Sequence, residues 1–176
     1  MNSFLRTFAR NRGAVIGLCI LIAVVAVAVL APLLYPGSPW RMVHRPFLAP
    51  FVLDRAPLGS DTVGRDILAG LVHGSRVSLL IGLVSTLVAL LVGVPLGAIS
   101  GYFGGWVDAA LMRVTEFFQT IPSFALAIVI VSILQPSVAS IVLAIAIVSW
   151  PPVARLVRGE VLSVRTRDYV QAAIVT

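Results

Sequence analysis

Two long stretches without a charged side chain constrain this chain more than any other feature. They cover residues 14–34 and 77–101. A helix of about 20 mostly apolar residues crosses the roughly 30 Å hydrocarbon core of a bilayer, so each stretch is long enough to span it. Apolar residues make up 59% of the chain, against roughly 45–50% in soluble domains. The sequence therefore predicts an all-α integral membrane protein, a polytopic helix bundle.

Two shorter apolar segments, residues 117–134 and 138–154, predict a third and a fourth transmembrane helix. Pro122 lies inside the third and predicts a kink. The pair Pro151 and Pro152 predicts the end of the fourth. Only Gln135, Pro136 and Ser137 separate the two segments, which is too short for anything but an antiparallel return. We therefore expect four transmembrane helices, with both chain ends on the same side of the membrane.

The segment between the first two spans differs in composition from the rest of the chain. Its first half is rich in proline, which fixes φ and removes an amide donor, so we expect an extended loop in water. Its second half predicts an external amphipathic helix, with Ser60 or Asp61 as the capping residue. The apolar residues that recur at helical spacing there are Ile67, Leu68, Leu71 and Val72.

The positions of the arginines predict the orientation. Arg6, Arg10 and Arg12 precede the first span, which places the N-terminus in the cytoplasm. A cleaved signal peptide is the alternative, but the apolar stretch exceeds the roughly 7–15 residues of a signal core, which favours an uncleaved anchor. The predicted organisation is a cytoplasmic N-terminus and first helix (1–34), an external Pro-rich loop and amphipathic helix (35–76), and a transmembrane domain that starts at 77 and runs to 176.

Composition excludes several chemistries. All 13 basic residues are arginine, so the chain has neither the lysine of a Walker A phosphate loop nor a Schiff-base lysine. His44 and His73 have no cysteine or carboxylate at metal-ligand spacing, so we predict no metal, cofactor or catalytic residue. The net charge of +6 does not form one basic stripe, so we predict a lipid bilayer rather than nucleic acid as the partner of these arginines.

A row of glycines predicts close helix packing. Small residues four apart lie on one helical face and let another helix approach. Chance abundance is the alternative, since glycine is common in membrane helices. The row consists of Gly93, Gly97, Gly101 and Gly105.

Spacing also predicts one local ion pair. Arg113 and Glu116 are three residues apart and lie on one helical face.

At the end of the chain, a polar and basic segment leads into residues 168–173, a helix-compatible stretch whose apolar side chains need a partner. Such a helix can dock in a groove of a soluble subunit. A plain positive-inside anchor explains it equally well.

Four stretches of the sequence resemble the inner-membrane permease subunits of ABC importers for dipeptides, oligopeptides and nickel, the binding-protein-dependent transport permease family. They are PLGSDTVGRD at 57–66, GSRVSL at 74–79, GYFGGWVDAALMR at 101–113 running on to Pro122, and DYVQAA at 168–173. Each is weak alone, but together they follow the order of the family. The likeness is to the second permease of the pair, which carries an extra N-terminal span.

The resemblance implies a fold, partners and a mechanism. It implies the first part of a six-helix permease fold in a bacterial or archaeal inner (plasma) membrane. It also implies a second permease subunit, two cytoplasmic ATP-binding subunits and an external solute-binding protein, with no enzymatic activity in this chain itself. The ATPase-coupling loop would begin at Asp168, Tyr169, Val170, Gln171, Ala172 and Ala173.

The chain departs from the family at its end. Gln171 stands where the family often has Glu, and Ile174 to Thr176 replace the usual continuation of the coupling loop. We therefore expect a truncated copy of a permease that takes up peptides or nickel. The alternative is a small polytopic membrane scaffold or assembly protein without transport activity. A passive channel is disfavoured because no ring of charged or carbonyl-rich filter residues is visible.

Overall fold

The computed structural model describes residues 7–168 and residue 170. Its chain divides into two compact units, Met1–Leu80 and Ile81–Thr176, which are described separately. The helices are α1 (Arg12–Leu34), α2 (Ile67–Phe103), α3 (Gly105–Thr120), α4 (Ser123–Leu134) and α5 (Val138–Arg165). Helices α1, α2 and α5 are long and apolar enough to cross a membrane, and α3 with α4 forms a fourth candidate if the bent pair is one span. The predicted all-α membrane fold is confirmed.

Helix α1 has defined ends and few buried side chains. The side chain of Asn11 accepts a hydrogen bond from the Ala14 N–H at 3.2 Å, which caps the first turn. At the other end the Tyr35 N–H donates to the Ala31 carbonyl at 3.0 Å. Ala28 and Ala31 are its buried residues. An apolar helix with so much exposed surface is suited to lipid rather than water.

Two glycines shape the loop between α1 and α2. Gly59 and Gly64 have positive φ values of 77° and 84°, which glycine adopts without strain. A Cβ at Gly59 would lie 2.1 Å from the Leu48 carbonyl oxygen, and one at Gly64 would lie 2.2 Å from that of His44. Both positions therefore require glycine, because the backbone conformation disfavours other residues and a carbonyl oxygen leaves no room for a Cβ. These close approaches fold the loop back on itself before α2 begins.

The cap of α2 differs from the prediction. The side chain of Asp66 accepts from the Leu68 and Ala69 N–H groups at 2.8 and 3.3 Å, so Ser60 and Asp61 were the wrong choice. Asp61 instead closes the preceding turn by accepting from the N–H groups of Val63 and Arg65 at 2.9 and 2.8 Å. Three capping-type residues lie close together in the sequence, and spacing alone could not decide between them.

Ser60 is buried in the loop rather than placed at the helix end. Its hydroxyl accepts from the Leu48 N–H at 3.0 Å and donates to the Arg45 carbonyl. The amphipathic segment predicted from Ile67 onward is the first part of α2, which continues unbroken to Phe103. A 37-residue helix at 1.5 Å per residue is about 55 Å long, so one end must project beyond the hydrocarbon core.

The predicted kink at Pro122 is a sharp break in the second unit. Helix α3 ends at Thr120, α4 begins at Ser123, and their axes differ by 82°. Ile121 has the extended conformation, φ −84° and ψ 130°, as expected for a residue before proline. The turn after α4 returns the chain as predicted, and Ser137 caps α5 by accepting from the Ser140 N–H at 3.1 Å.

Helix α5 does not end at its two prolines, and that prediction was wrong. The helix runs through Pro151 and Pro152 to Arg165. Pro151 is almost completely buried. Prolines are tolerated inside membrane helices because neighbouring groups compensate for the lost backbone hydrogen bonds. The core of the second unit lies beside them, where Trp150 packs edge-on against Phe118 with ring centroids 5.4 Å apart.

Candidate functional site

The glycine face of α2 lies directly against α5. A Cβ at Gly93 would approach the Trp150 carbonyl oxygen to 2.8 Å, and one at Gly97 would approach that of Ala154 to 2.3 Å. A Cβ at Gly101 would lie 2.9 Å from the Cβ of Val161. Real Cβ atoms do not approach so closely, so these three positions require glycine if the two backbones are to stay together.

The matching face of α5 is a row of valines with the same spacing. The side chains of Val153, Val157 and Val161 lie over Gly93, Gly97 and Gly101 respectively. Rows four residues apart on both helices interdigitate in this way, with ridges of one helix in grooves of the other. Helix α5 is thereby packed closely against α2 along several turns.

Gly105 does not belong to this face. Helix α2 ends at Phe103, Gly104 has a φ of 65°, and Gly105 begins α3 with a φ of 54°. Among the described residues, no atom would lie within 4 Å of a Cβ at Gly105, leaving out its two chain neighbours and its own helix backbone. The spacing of four continues in the sequence, but the helix does not, so the predicted row stops at its third member.

A single carboxylate joins three helices near the end of the glycine face. Asp108 of α3 receives two charged hydrogen bonds from Arg158 of α5, including one of 2.5 Å between Nη2 and Oδ2. Ser100 of α2, which is fully buried, donates its hydroxyl to Oδ1 of the same carboxylate. Arginine bound through two nitrogens is held in both distance and orientation. The ends of α2, α3 and α5 are therefore fixed together at this point.

This contact was not predicted from the sequence. The expected pair was Arg113 and Glu116, and no ion pair joins them in the part of the chain that the structure describes. Asp108 and Arg158 are 50 residues apart, and no periodicity relates residues at that separation. The available signal was weaker: both are charged residues next to apolar segments, where an unpaired charge is costly.

The predicted coupling segment follows α5. The Arg167 N–H donates to the Val164 carbonyl at 3.1 Å, and the Val170 N–H donates to that of Arg167 at 3.0 Å. Asp168 and Val170 thus continue the chain in tight turns beyond α5. The other four residues of the prediction lie outside the described residues; they are Tyr169, Gln171, Ala172 and Ala173.

A cavity of about 370 Å³ lies where α2 and α5 end. Tyr102 and Phe103 line it from α2, Val161 and Val164 from α5, and Val170 from the segment beyond. The segment therefore borders the two helices that the glycine face holds together.

Within 7–168 and 170, no three His, Cys, Asp or Glu side chains lie together where they could hold a metal ion. His73 is placed with its Nε2 3.0 Å from the Tyr35 carbonyl oxygen. Cys19 is an exposed free thiol on α1.

Comparison with known proteins agrees with this architecture. Residues 93–176 match the family described as the binding-protein-dependent transport system inner membrane component. Residues 1–54 match the N-terminal TM domain of oligopeptide transport permease C. The first match includes the glycine face, the Asp108–Arg158 pair and the segment after α5.

Three curated relatives show the same likeness along almost the whole chain. The dipeptide transport system permease protein DppC of Haemophilus influenzae is 39% identical over 171 residues, which cover 94% of this chain and 58% of the relative. The di/tripeptide transport system permease protein DppC of Pseudomonas aeruginosa is 40% identical, with 98% and 59% covered. The oligopeptide transport system permease protein OppC of Haemophilus influenzae is 34% identical, with 97% and 55% covered.

The chain thus spans a little more than half the length of these relatives. Its apolar helices and their close packing are those expected of a membrane protein, and both family matches are to membrane transport proteins. The chain is a multi-pass membrane protein that belongs to the family of binding-protein-dependent transport system inner membrane components.

Proposed function

We propose that this chain forms part of the membrane pathway of an ABC importer for peptides. The observation that supports this most directly is the similarity to dipeptide, di/tripeptide and oligopeptide permeases along almost its whole length. The names of these relatives favour a peptide over nickel as the transported substrate. The N-terminus lies in the cytoplasm in this proposal, because Arg6 and Arg10 precede α1 and Arg12 is its first residue.

The proposed mechanism places ATP hydrolysis on partner subunits. Without lysine the chain has no Walker A loop, so energy must arrive through contact. Two cytoplasmic ATP-binding subunits would act on the segment beginning at Asp168, a second permease subunit would complete the pathway, and an external binding protein would deliver the peptide. The close packing of α5 on α2 supports this, because a displaced segment would move both helices as a unit.

The coupling role is tested by co-purification with ATP-binding subunits of peptide importers from the same organism. We expect A172D and A173D to abolish co-purification, because a buried carboxylate has no partner in an apolar groove. S163D is the matched control, since Ser163 is exposed on α5 before the segment. Association that survives both substitutions would reject the assignment of the segment.

Transport itself is tested by reconstitution. The chain, its partner permease and the ATP-binding subunits are placed in vesicles with the external binding protein, and accumulation of a labelled dipeptide is measured with and without ATP. We expect uptake that requires ATP. Normal assembly without any ATP-dependent uptake would instead support the scaffold or assembly role.

The orientation is tested by cysteine labelling in a Cys19→Ala background. Val52, in the loop between α1 and α2, and Ser163 are both exposed, whereas the buried Ser60 is a poor site for a label. We expect a membrane-impermeant maleimide added to intact cells to label V52C and to leave S163C unlabelled until the cells are opened. The reverse pattern would overturn the proposed orientation.

A further inference from the structure

A cavity of about 260 Å³ lies in the unit Met1–Leu80, between the loop and the first turns of α2. A single water molecule occupies roughly 30 Å³ of liquid, so the cavity has room for a group of several heavy atoms. It is lined by apolar surface at one end and by charged side chains at the other. It takes no part in the contacts between α2, α3 and α5.

The charged end of the cavity contains one cation, Arg65. The guanidinium carbon of Arg65 lies 5.2 Å from the ring centroid of Trp40, a distance typical of a cation–π contact. Its Nε is buried and has no hydrogen-bond partner among the described residues. Arg65 lines the cavity with its guanidinium against the Trp40 ring, so its positive charge would attract an anionic group placed there.

Two carboxylates line the same cavity. In Asp61 and in Asp66, Oδ1 receives two backbone N–H groups, which hold both carboxylates in place at the cavity. Neither forms an ion pair with Arg65 within the described chain. The cavity therefore presents one cation and two anions side by side, a pattern that complements a ligand carrying both a negative and a positive group.

The apolar end lies where the membrane core begins. Gly70 and Gly74 form an open groove along α2, with no atom within 4 Å of an added Cβ among the described residues. Val77 continues this face and is 46% exposed, and it is the first residue of the charge-free stretch 77–101. Tryptophan beside such a boundary is typical of the membrane interface.

We propose that this cavity binds a phospholipid whose headgroup is an aminoethyl phosphate. Arg65 holds the phosphate, Asp61 and Asp66 hold the primary ammonium, and the start of an acyl chain lies along Gly70 and Gly74. The continuity of the groove with the membrane core favours a lipid over a free peptide, which has no long apolar chain. This proposal does not depend on the transport function.

Lipid binding to the purified full chain is measured by native mass spectrometry with equal amounts of palmitoyl-oleoyl phosphatidylethanolamine, phosphatidylcholine and phosphatidylglycerol. We expect phosphatidylethanolamine to bind about fivefold more tightly than the other two, because its ammonium is a charged donor, whereas the choline nitrogen has no N–H and the glycerol hydroxyls are uncharged. Equal binding of the ethanolamine and choline lipids, or preference for the glycerol lipid, would overturn the proposal.

Substitutions then identify the groups involved. R65Q should weaken binding of all three lipids by about fivefold. D61N keeps an oxygen for the turn but removes the charge, so it should abolish the preference for ethanolamine over choline. R55Q is the control, because Arg55 lies in the same loop and does not line the cavity. Unchanged binding in R65Q would contradict the proposal.

A variant that leaves every charge in place provides an independent test. G74L adds a side chain to the open groove and should displace the acyl chain, lowering lipid binding about fivefold. G82L is the matched control, since Gly82 also faces open space and lies outside the cavity. If G82L weakens binding as much as G74L, the cavity is not the lipid site.

Discussion

The two halves of α2 use glycine in opposite ways. In the first half, Gly70 and Gly74 are four residues apart and face open space. In the second half, Gly93, Gly97 and Gly101 repeat the same spacing and lie within 3 Å of α5 when given a Cβ. The residue type and the spacing are the same, so the difference comes entirely from what lies opposite. A row of glycines predicts a helix face that another group can approach closely, but it does not predict which group that is.

Among the substitutions that test this difference, the one at Gly97 is expected to lower stability most. A Cβ there would meet backbone, the Ala154 carbonyl oxygen at 2.3 Å, so G97A forces α2 and α5 apart. We expect a loss of roughly 1–3 kcal/mol, the usual cost of overpacking. Thermal unfolding followed by circular dichroism in one detergent measures it. A stability equal to that of the original chain would show that α5 does not approach α2 as described.

The next effect concerns the carboxylate that fixes the ends of these helices. D108A leaves Arg158 without its partner, and we expect a loss of about 2 kcal/mol, since hydrogen bonds to charged groups contribute roughly 1.5–3 kcal/mol. The same unfolding measurement applies. E160Q is the control, because Glu160 is exposed on the same helix as Arg158.

A double-mutant cycle separates the pair from the rest of the site. If Asp108 and Arg158 act on each other, D108A in an R158A background should cost about 1 kcal/mol less than in the original chain. Additive losses would mean that each side chain acts through other neighbours. Ser100 is the first such neighbour to consider, since it donates to the same carboxylate.

A smaller effect of opposite sign is expected at Gly82. The position lies inside α2 and no described atom lies within 4 Å of an added Cβ there. Alanine should therefore stabilise the helix by about 0.5–1 kcal/mol through its higher helix propensity. Thermal unfolding of G82A and of G97A, measured separately under the same conditions, gives the sign of the change in stability for each. Destabilisation of G82A would mean that this face of α2 is covered.

The smallest effect is the response of the loop to acid. The N–H of Arg65 in particular holds the pKa of Asp61 below its usual value, with further lowering by the Val63 N–H and the Arg65 charge. A carboxylate with a lowered pKa stabilises the fold above its unfolded pKa of about 3.9, and this contribution is lost as the pH falls through the folded pKa. The turn should therefore stay intact at neutral pH and loosen only in strong acid.

Amide chemical shifts of Val63 and Arg65 in the nitrogen-15-labelled chain would report this transition. Both amides donate to Asp61, so both should titrate together with a midpoint below about 3.9. In D61N neither amide should show that transition. A midpoint at or above the usual aspartate value would contradict the hydrogen-bonded turn.

The successes and failures of the sequence analysis have physical causes. The spans were predicted well because the cost of placing charge in hydrocarbon is large and local. A kink at Pro122 was predicted because proline acts on its own neighbours, and the structure has a full break there. The cap at Asp66 was missed because Ser60, Asp61 and Asp66 have similar capping propensity. The end of α5 was misplaced because the rule for soluble helices was applied to Pro151 and Pro152.

The sequence by itself determined that this chain crosses a membrane, where its apolar helices lie, and to which family it belongs, because apolar length, proline positions and family motifs are local properties. Only the tertiary structure decided that Gly93, Gly97 and Gly101 face α5 while Gly70 and Gly74 stay open, and that Asp108 pairs with Arg158. These contacts join residues far apart in the chain, and their energies depend on which surfaces meet once the helices have packed.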